Sequence, residues 1–213
     1  LLIAEQPPLD LADHLQSLLA YPYGCLEQIT SRALPLLYAD PDTLRQFKIQ
    51  TEPGFDRFQA LEATFGKLAG LQLPNGGFAM WDPHGPEAFW LTAFAADFLL
   101  TARDLGFQPP EAVLRASLKR LVEYVRSPNG LYREPGSPHP AHSALATRCY
   151  AGYVLSRVRQ APLSGLRLVF EHQSNEARSK LPLIHLGLAL KNQGDHQRAE
   201  KALEQGLDLE RQA

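Results

Sequence analysis

Tyr21-Pro22-Tyr23-Gly24-Cys25-Leu26-Glu27-Gln28-Ile29-Thr30-Ser31-Arg32 sets one thiol three residues ahead of one carboxamide. Pro22 and Gly24 punctuate a turn of the kind that opens a helix. With a helix starting near Gly24, Cys25 and Gln28 lie about one turn apart on the same face, as side chains at i and i+3 do. A thiol held against a side-chain acyl group has both partners of a thioester. The free N–H groups of a helix start carry partial positive charge, which favours a thiolate at Cys25 and makes it a nucleophile or a leaving group. Tyr21 and Tyr23 are candidates to cover the site, because a thioester lasts only where water is kept away. Leu26 and Ile29 read as core anchors. The plainer alternative is a lone cysteine acting as a small buried apolar side chain.

Gly24-Cys25-Leu26-Glu27-Gln28 resembles the thioester motif of the alpha-2-macroglobulin and complement superfamily, and the run from Tyr21 to Arg32 looks like its bacterial alpha-2-macroglobulin branch. The resemblance implies that the Cys25 sulfur is joined to the Gln28 acyl carbon with loss of the amide nitrogen. It implies no external cofactor. It also implies a single-use covalent trap, an endopeptidase inhibitor and not an enzyme. In such a trap a protease cuts a bait segment elsewhere in the parent protein, the parent rearranges, and an amine, typically a lysine of the attacker, takes the Gln28 acyl group. Water on the same carbon leaves a thiol at Cys25 and a carboxylate at position 28. Target proteases and other domains of the parent chain are the implied partners, and a periplasmic, membrane-tethered parent is the implied setting.

Some complement relatives use a downstream histidine to turn the acyl group toward hydroxyls. By resemblance His139 and His142, which follow Pro128-Asn129-Gly130-Leu131-Tyr132-Arg133-Glu134, are candidates for that acyl transfer. The family's position falls beside His139, about one residue off and flanked by Pro138 and Pro140, where a solvated loop histidine is the blander explanation. Glu27 belongs to the motif, and a role in orienting the site stands beside that of an ordinary helical glutamate.

The remaining chain bounds the possibilities. At 213 residues and 45% apolar it is long enough to bury a substantial core as one domain, 1–213. A net charge of −2 without a basic stripe makes nucleic acid an unlikely partner. No apolar run approaches the roughly 20 residues that span a bilayer, so no membrane insertion by this segment is expected. The start Leu1-Leu2-Ile3-Ala4 lacks the form of a signal peptide. The first residue is not Met, and the chain reads as an excerpt of a larger protein. Seven histidines and two cysteines form no ligand-like cluster. Cys25 and Cys149 are one disulfide only if Cys25 is not committed elsewhere. Cys149, in the apolar run Ala144 to Tyr150, reads as a buried, inert thiol.

Outward from the motif, helical period dominates. Asp10 caps a first helix carrying Leu11, Leu15, Leu18 and Leu19 to near Tyr21. A second spans about Cys25 to Tyr38 with Leu26, Ile29, Ala33, Leu34 and Leu37 inward, kinked or ended early by Pro35. Asp40-Pro41-Asp42 marks a turn. A third, between Pro53 and Pro74, turns Phe55, Phe58, Leu61, Phe65, Leu68 and Leu71 to one side. A fourth, Pro86 to Gly106, is apolar over much of its surface and is expected to be deeply packed. Pro110 opens a fifth, with Val113, Leu114, Leu118, Leu121, Val122 and Val125 as its stripe. Further helices follow at about Ala144–Arg159, Leu163–His172, Glu176–Asn192 and Asp195–Leu207.

Two similar loops, Gln72-Leu73-Pro74-Asn75-Gly76-Gly77-Phe78 and Ser127-Pro128-Asn129-Gly130-Leu131-Tyr132, are separated by two helices, which makes the repeating unit a helical hairpin. Asn-Gly also opens β-hairpins, but the helical flanks favour a loop. The chain is all-α. Hairpin repeats stack as a solenoid or close into a ring, and the final pair, Leu181 to Leu207, is reminiscent of a tetratricopeptide unit whose spacing the earlier hairpins lack. The family resemblance, which runs on through Gly76-Gly77-Phe78 and Trp90-Leu91-Thr92-Ala93-Phe94, implies an α/α toroid with some hairpins missing or abbreviated.

Two other classes remain open on the residues alone. A non-covalent helical-repeat binding module needs no Cys25 chemistry. A toroidal glycoside hydrolase needs a carboxylate pair, for which Asp82, Glu87 and nearby His84 are candidates, although their turn and capping context asks for no catalysis. A papain-like protease is disfavoured because Gly24-Cys25-Leu26 lacks that flanking pattern. Asp97, on an apolar helix, is expected to bond a neighbouring helix end.

Overall fold

The computed structural model describes residues 24–46, 54–127, 131 and 138–209. The expected helix from Asp10 to Tyr21 lies outside the described residues, as do Tyr21 and Tyr23 and most of the second Pro-Asn-Gly loop. The described chain is all-helical: α1 (Leu26–Ala33), a 3-10 turn (Leu34–Leu37), α2 (Pro41–Gln46), α3 (Arg57–Leu71), α4 (Phe89–Asp104), α5 (Glu111–Arg126), α6 (Pro140–Arg157), α7 (Leu163–Gln173), a 3-10 turn (Ser174–Glu176), α8 (Lys180–Asn192) and α9 (His196–Asp208).

Burial sorts these helices into two series. In α3, α5, α7 and α9 the buried residues form a single stripe, as in Leu61, Phe65, Leu68 and Leu71 of α3. In α4 and α6 burial runs around much of the helix, from Thr92 to Ala102 and from Ala144 to Ser156. Packing follows the same division. α1 lies on α4, α4 on α6 and α6 on α8, while α3, α5, α7 and α9 each rest on members of that inner series. A one-sided stripe is what a helix with one face to solvent needs, and all-round burial is what a helix enclosed by neighbours needs. This is an α/α toroid, helical hairpins in an inner and an outer layer.

Capping sets the element starts. Asp56 accepts from the N–H groups of Phe58 and Gln59 at 2.7 and 3.1 Å and opens α3. Asp195 opens α9. Pro35 ends α1 early, as its missing N–H demands, and the chain continues as a 3-10 turn.

Several expectations need correction. Asp40-Pro41-Asp42 is a helix start and not only a turn: Asp40 accepts from the Thr43 N–H at 2.7 Å and Pro41 is the first residue of α2, where its missing donor costs nothing. Phe55 and Phe58 are exposed, Phe58 at 63%, and do not join the inward stripe. Phe58 instead packs its ring 5.6 Å from Phe107. α6 begins at Pro140, four residues ahead of the expected start, because proline fits the first turn. The Asn75-Gly76-Gly77 loop closes with isolated antiparallel bridges, Gln72 to Phe78 and Ala79 to Glu87. The expectation for Asp97 holds, since it pairs with Arg157 at the C-terminal end of α6, and it also accepts from the Tyr150 hydroxyl at 2.9 Å.

Candidate functional site: a thiol and a carboxamide in one capping box

Cys25 is the N-cap of α1, not its first helical residue. Its backbone is extended, with φ −72° and ψ 160°, while its carbonyl already accepts the Ile29 N–H at 2.9 Å. Its own N–H donates to Oε1 of Gln28 at 3.3 Å, and its side chain faces the Gln28 N–H in return. That reciprocal arrangement is a capping box, normally built from a hydroxyl at the cap and Glu or Gln three residues on. Here a thiol stands where the hydroxyl would be. The ordinary geometry of a helix start therefore folds the carboxamide back over the cap residue that carries the sulfur.

The surroundings hold this start in place. Leu26 is fully buried, and its N–H, which has no partner inside the helix, donates to the Met80 carbonyl at 2.8 Å. Thr30 is fully buried one turn on and bonds back to the Leu26 carbonyl at 2.8 Å. Cys25 itself is 5% exposed and Gln28 half-buried, so the sulfur is shielded and the acyl group is partly open. Glu27 points outward and accepts from the Ser31 hydroxyl at 3.2 Å. In the first turn its charge suits the helix dipole.

The two histidines sit at the other end of the sequence candidates. His139 is the exposed N-cap of α6, and His142 lies in the first turn of that helix, so His142 is a helical and not a loop residue. The His142 Nδ1 accepts the Arg178 backbone N–H at 3.2 Å, and its proton affinity is lowered by burial, then by His139 and Arg178. Asp82 turns its carboxylate to the His84 N–H at 2.9 Å within its own loop. Glu87 receives Arg120, Tyr124 and Asn75 together. Its oxygens are occupied by those donors, so the carboxylate pair of a hydrolase finds no support.

Cys25 and Cys149 are not bonded to each other. Among the described residues no cluster of three or more His, Cys, Asp or Glu is arranged to hold a metal, and no helix is long and apolar enough to cross a membrane. The Met80 carbonyl is the contributor that sequence reasoning missed, since no side-chain pattern marks a backbone acceptor.

Residues 3–154 match the family described as the A-macroglobulin TED domain. The alpha-2-macroglobulin of Escherichia coli is 38% identical over 211 residues, covering 99% of this chain and 13% of that protein. That of Xylella fastidiosa is 40% identical over 200 residues, covering 94% and 12%. The crystal structure of Salmonella alpha-2-macroglobulin reacted with methylamine superposes with a TM-score of 0.90 at 39% identity, covering 98% of this chain and 13% of the other. Trypsin-activated alpha-2-macroglobulin from Escherichia coli gives 0.83 at 38% identity, covering 90% and 13%. This chain thus spans about an eighth of the length of these relatives.

Proposed function

The chain belongs to the A-macroglobulin TED domain family, and we propose that it is the thioester domain of a bacterial alpha-2-macroglobulin-like protease inhibitor. The observation that carries this reading is the capping box that holds Cys25 against Gln28. The relatives support it further, one having been reacted with methylamine and others activated by trypsin or by porcine elastase.

The chemistry follows from the geometry, with Gln28 Oε1 standing for the acyl oxygen of the thioester. The Cys25 sulfur adds to the Gln28 carboxamide carbon and ammonia leaves, giving the thioester. An amine then attacks the same carbon, negative charge gathers on Oε1, and the intermediate collapses to an amide. The C–S bond breaks, the sulfur departs as thiolate, and the proton lost by the amine is available to it. The Cys25 N–H already points at Oε1, so it serves as an oxyanion donor whose bond tightens as charge develops. The positive end of α1 lies at the departing sulfur. No step regenerates the thioester, so the domain acts once.

Lysine amines of the attacking protease are the expected nucleophiles. The position of the histidine that complement relatives use falls about one residue from His139, between Pro138 and Pro140, which supports amines over hydroxyl acceptors. Incubation with glycerol in place of methylamine should give no ester. The domain acts alongside others in a longer protein, as the coverage of the relatives suggests. The bacterial branch supports a periplasmic, membrane-tethered parent, which fractionation of producing cells tests.

The deciding experiment is the intact mass before and after methylamine, with a thiol assay. The thioester lowers the mass by about 17 Da, the ammonia lost, and methylamine should add its own mass as one thiol appears. A chain at full sequence mass, with the Cys25 thiol free from the outset and no response to methylamine, overturns the reading.

A further inference from the structure

The loop between α3 and α4 does more than join two helices. It returns along its own start, with the Ala79 N–H on the Leu71 carbonyl at 3.0 Å and the Ala88 N–H on the Phe78 carbonyl at 2.8 Å. Phe78 and Ala79 are fully buried, and the next residue, Met80, supplies the carbonyl that holds the Leu26 N–H at the start of α1. Ala79 is bridged to Glu87 across the loop. Whatever fixes Glu87 therefore fixes the residue next to Met80.

Glu87 is fixed by its side chain. The carboxylate, 7% exposed, takes Arg120 Nε at 2.9 Å and Nη2 at 2.7 Å in a two-point fork, with the Tyr124 hydroxyl and Asn75 Nδ2 as further donors, the latter at 3.0 Å. Asn75 returns its own Oδ1 to the Gly77 N–H at 2.9 Å. The loop is pressed so tightly between this carboxylate and α5 that it has room only for glycine. A Cβ on Gly77 would stand 2.1 Å from Glu87 Oε1, and one on Gly76, whose φ is +91°, would stand 2.3 Å from the Ala116 carbonyl oxygen. The bond to Glu87 holds the Arg120 guanidinium charged against its partial burial. A buried carboxylate with four donors is a rigid point, because its orientation is fixed from several sides and loss of Arg120 would leave its charge unpaired.

We propose that Glu87 is a positioning residue for the thioester, acting through Ala79 and the Met80 carbonyl to seat the Cys25 end of α1 and limit access of water to the Gln28 acyl carbon. The proposal rests on the thioester reading above. Glu87→Gln keeps the size of the side chain but replaces one accepting oxygen with an amide that meets the Arg120 fork donor to donor. Asn75→Ala removes one donor from the exposed edge of the clamp together with the Oδ1 that accepts the Gly77 N–H, and leaves the buried Arg120 fork intact. Asp195→Asn, in the α7–α9 region, serves as a destabilised control, since Asp195 pairs with Arg167 and Arg198 far along the chain from α1.

The measurement is the rate of thiol release in buffer without amine, followed beside thermal unfolding. Glu87→Gln should speed that release on the order of tenfold, because a loosened α1 start admits water to the acyl carbon. Asn75→Ala should shift it the same way by less, and Asp195→Asn should leave it within about twofold at a comparable or larger loss of Tm. Equal release from all three variants and the parent, or acceleration that merely tracks Tm across Glu87→Gln and Asp195→Asn, overturns the positioning role while leaving the thioester in place. A parent protein that never shows the lowered mass overturns both.

Discussion

Cys25 and Cys149 are the two cysteines of the chain, both buried, at 5% and 0% exposure, and they are placed for opposite fates. Cys149 lies in the middle of α6, where the backbone donors are spent on the helix ladder. Burial pushes its thiol well above the ordinary range, and the adjacent Arg148 offsets this only in part. Cys25 lies one residue outside a helix, where the first N–H groups have no partner within the helix ladder and a carboxamide folds back over the cap. Burial does not distinguish the two. What does is position along a helix: an interior thiol has only packing partners, while a cap thiol has an acyl group and N–H donors outside the helix ladder.

The sharpest way to break this comparison is to exchange the roles by mutation. Cys25→Ala should abolish the response to methylamine completely, with no lowered mass and no thiol released, while Cys149→Ala should retain the full response. The cost of Cys149→Ala should be felt in stability alone, about 1 kcal/mol for a small group removed from a full core, measured by urea denaturation. Methylamine reactivity that survives Cys25→Ala, or that disappears with Cys149→Ala in a folded protein, would reverse the assignment.

The difference between the two cysteines was visible in the sequence because each depends on local context. Gly24 before Cys25 and Gln28 three residues on signal a helix start, and the unbroken apolar run around Cys149 signals an interior. The inner helix α4 was legible for the same reason, since apolar residues on all sides leave no face for solvent. What was not legible depends on distant partners. Phe58 has the right period to be core, yet its ring ends on the surface beside Phe107, forty-nine positions away. Glu87 resembles a catalytic carboxylate until Arg120 and Tyr124 of α5 are placed upon it. The Met80 carbonyl carries no side-chain signature at all. Spacing reports what a segment prefers, and only the folded chain reports what each side chain meets.

A second test extends the comparison from thiols to another titratable group of the interior. His185 in α8 stacks with the rings of Tyr150, next to Cys149, and Tyr153, with centroids 4.8 and 5.3 Å away. As at Cys149, burial governs its protonation, lowering the pKa from 6.5 to about 4. The unfolded chain therefore takes up the proton first as pH falls. Stability should be full above pH 6.5, decline between 6.5 and 4, and level off below for this group, a loss of roughly 3 kcal/mol by linkage. Asp195 is distinct in its window: burial opposes its charge, but Arg167 and Arg198 hold its pKa below 3.8, so its contribution is lost only below that range. His185→Phe should flatten the decline between pH 6.5 and 4 in urea titrations, and a decline unchanged by that substitution would assign it elsewhere.

The smallest effect isolates the cap from the chemistry. Cys25→Ser and Cys25→Ala both lack the sulfur, so neither can form the thioester, yet they differ in what they offer the Gln28 N–H. A serine hydroxyl completes an ordinary capping box, whereas alanine leaves that donor without its side-chain acceptor. Cys25→Ser should therefore be more stable than Cys25→Ala by about 1 kcal/mol, a difference of ~2–4 °C in Tm for a chain of this size. Equal stabilities would mean that the side chain of residue 25 does not cap α1 and that the Cys25 and Gln28 pairing owes nothing to the helix start. A stabilising serine would show that the reactive pair is built on a common structural motif, with one oxygen replaced by sulfur to turn a cap into an acylating group.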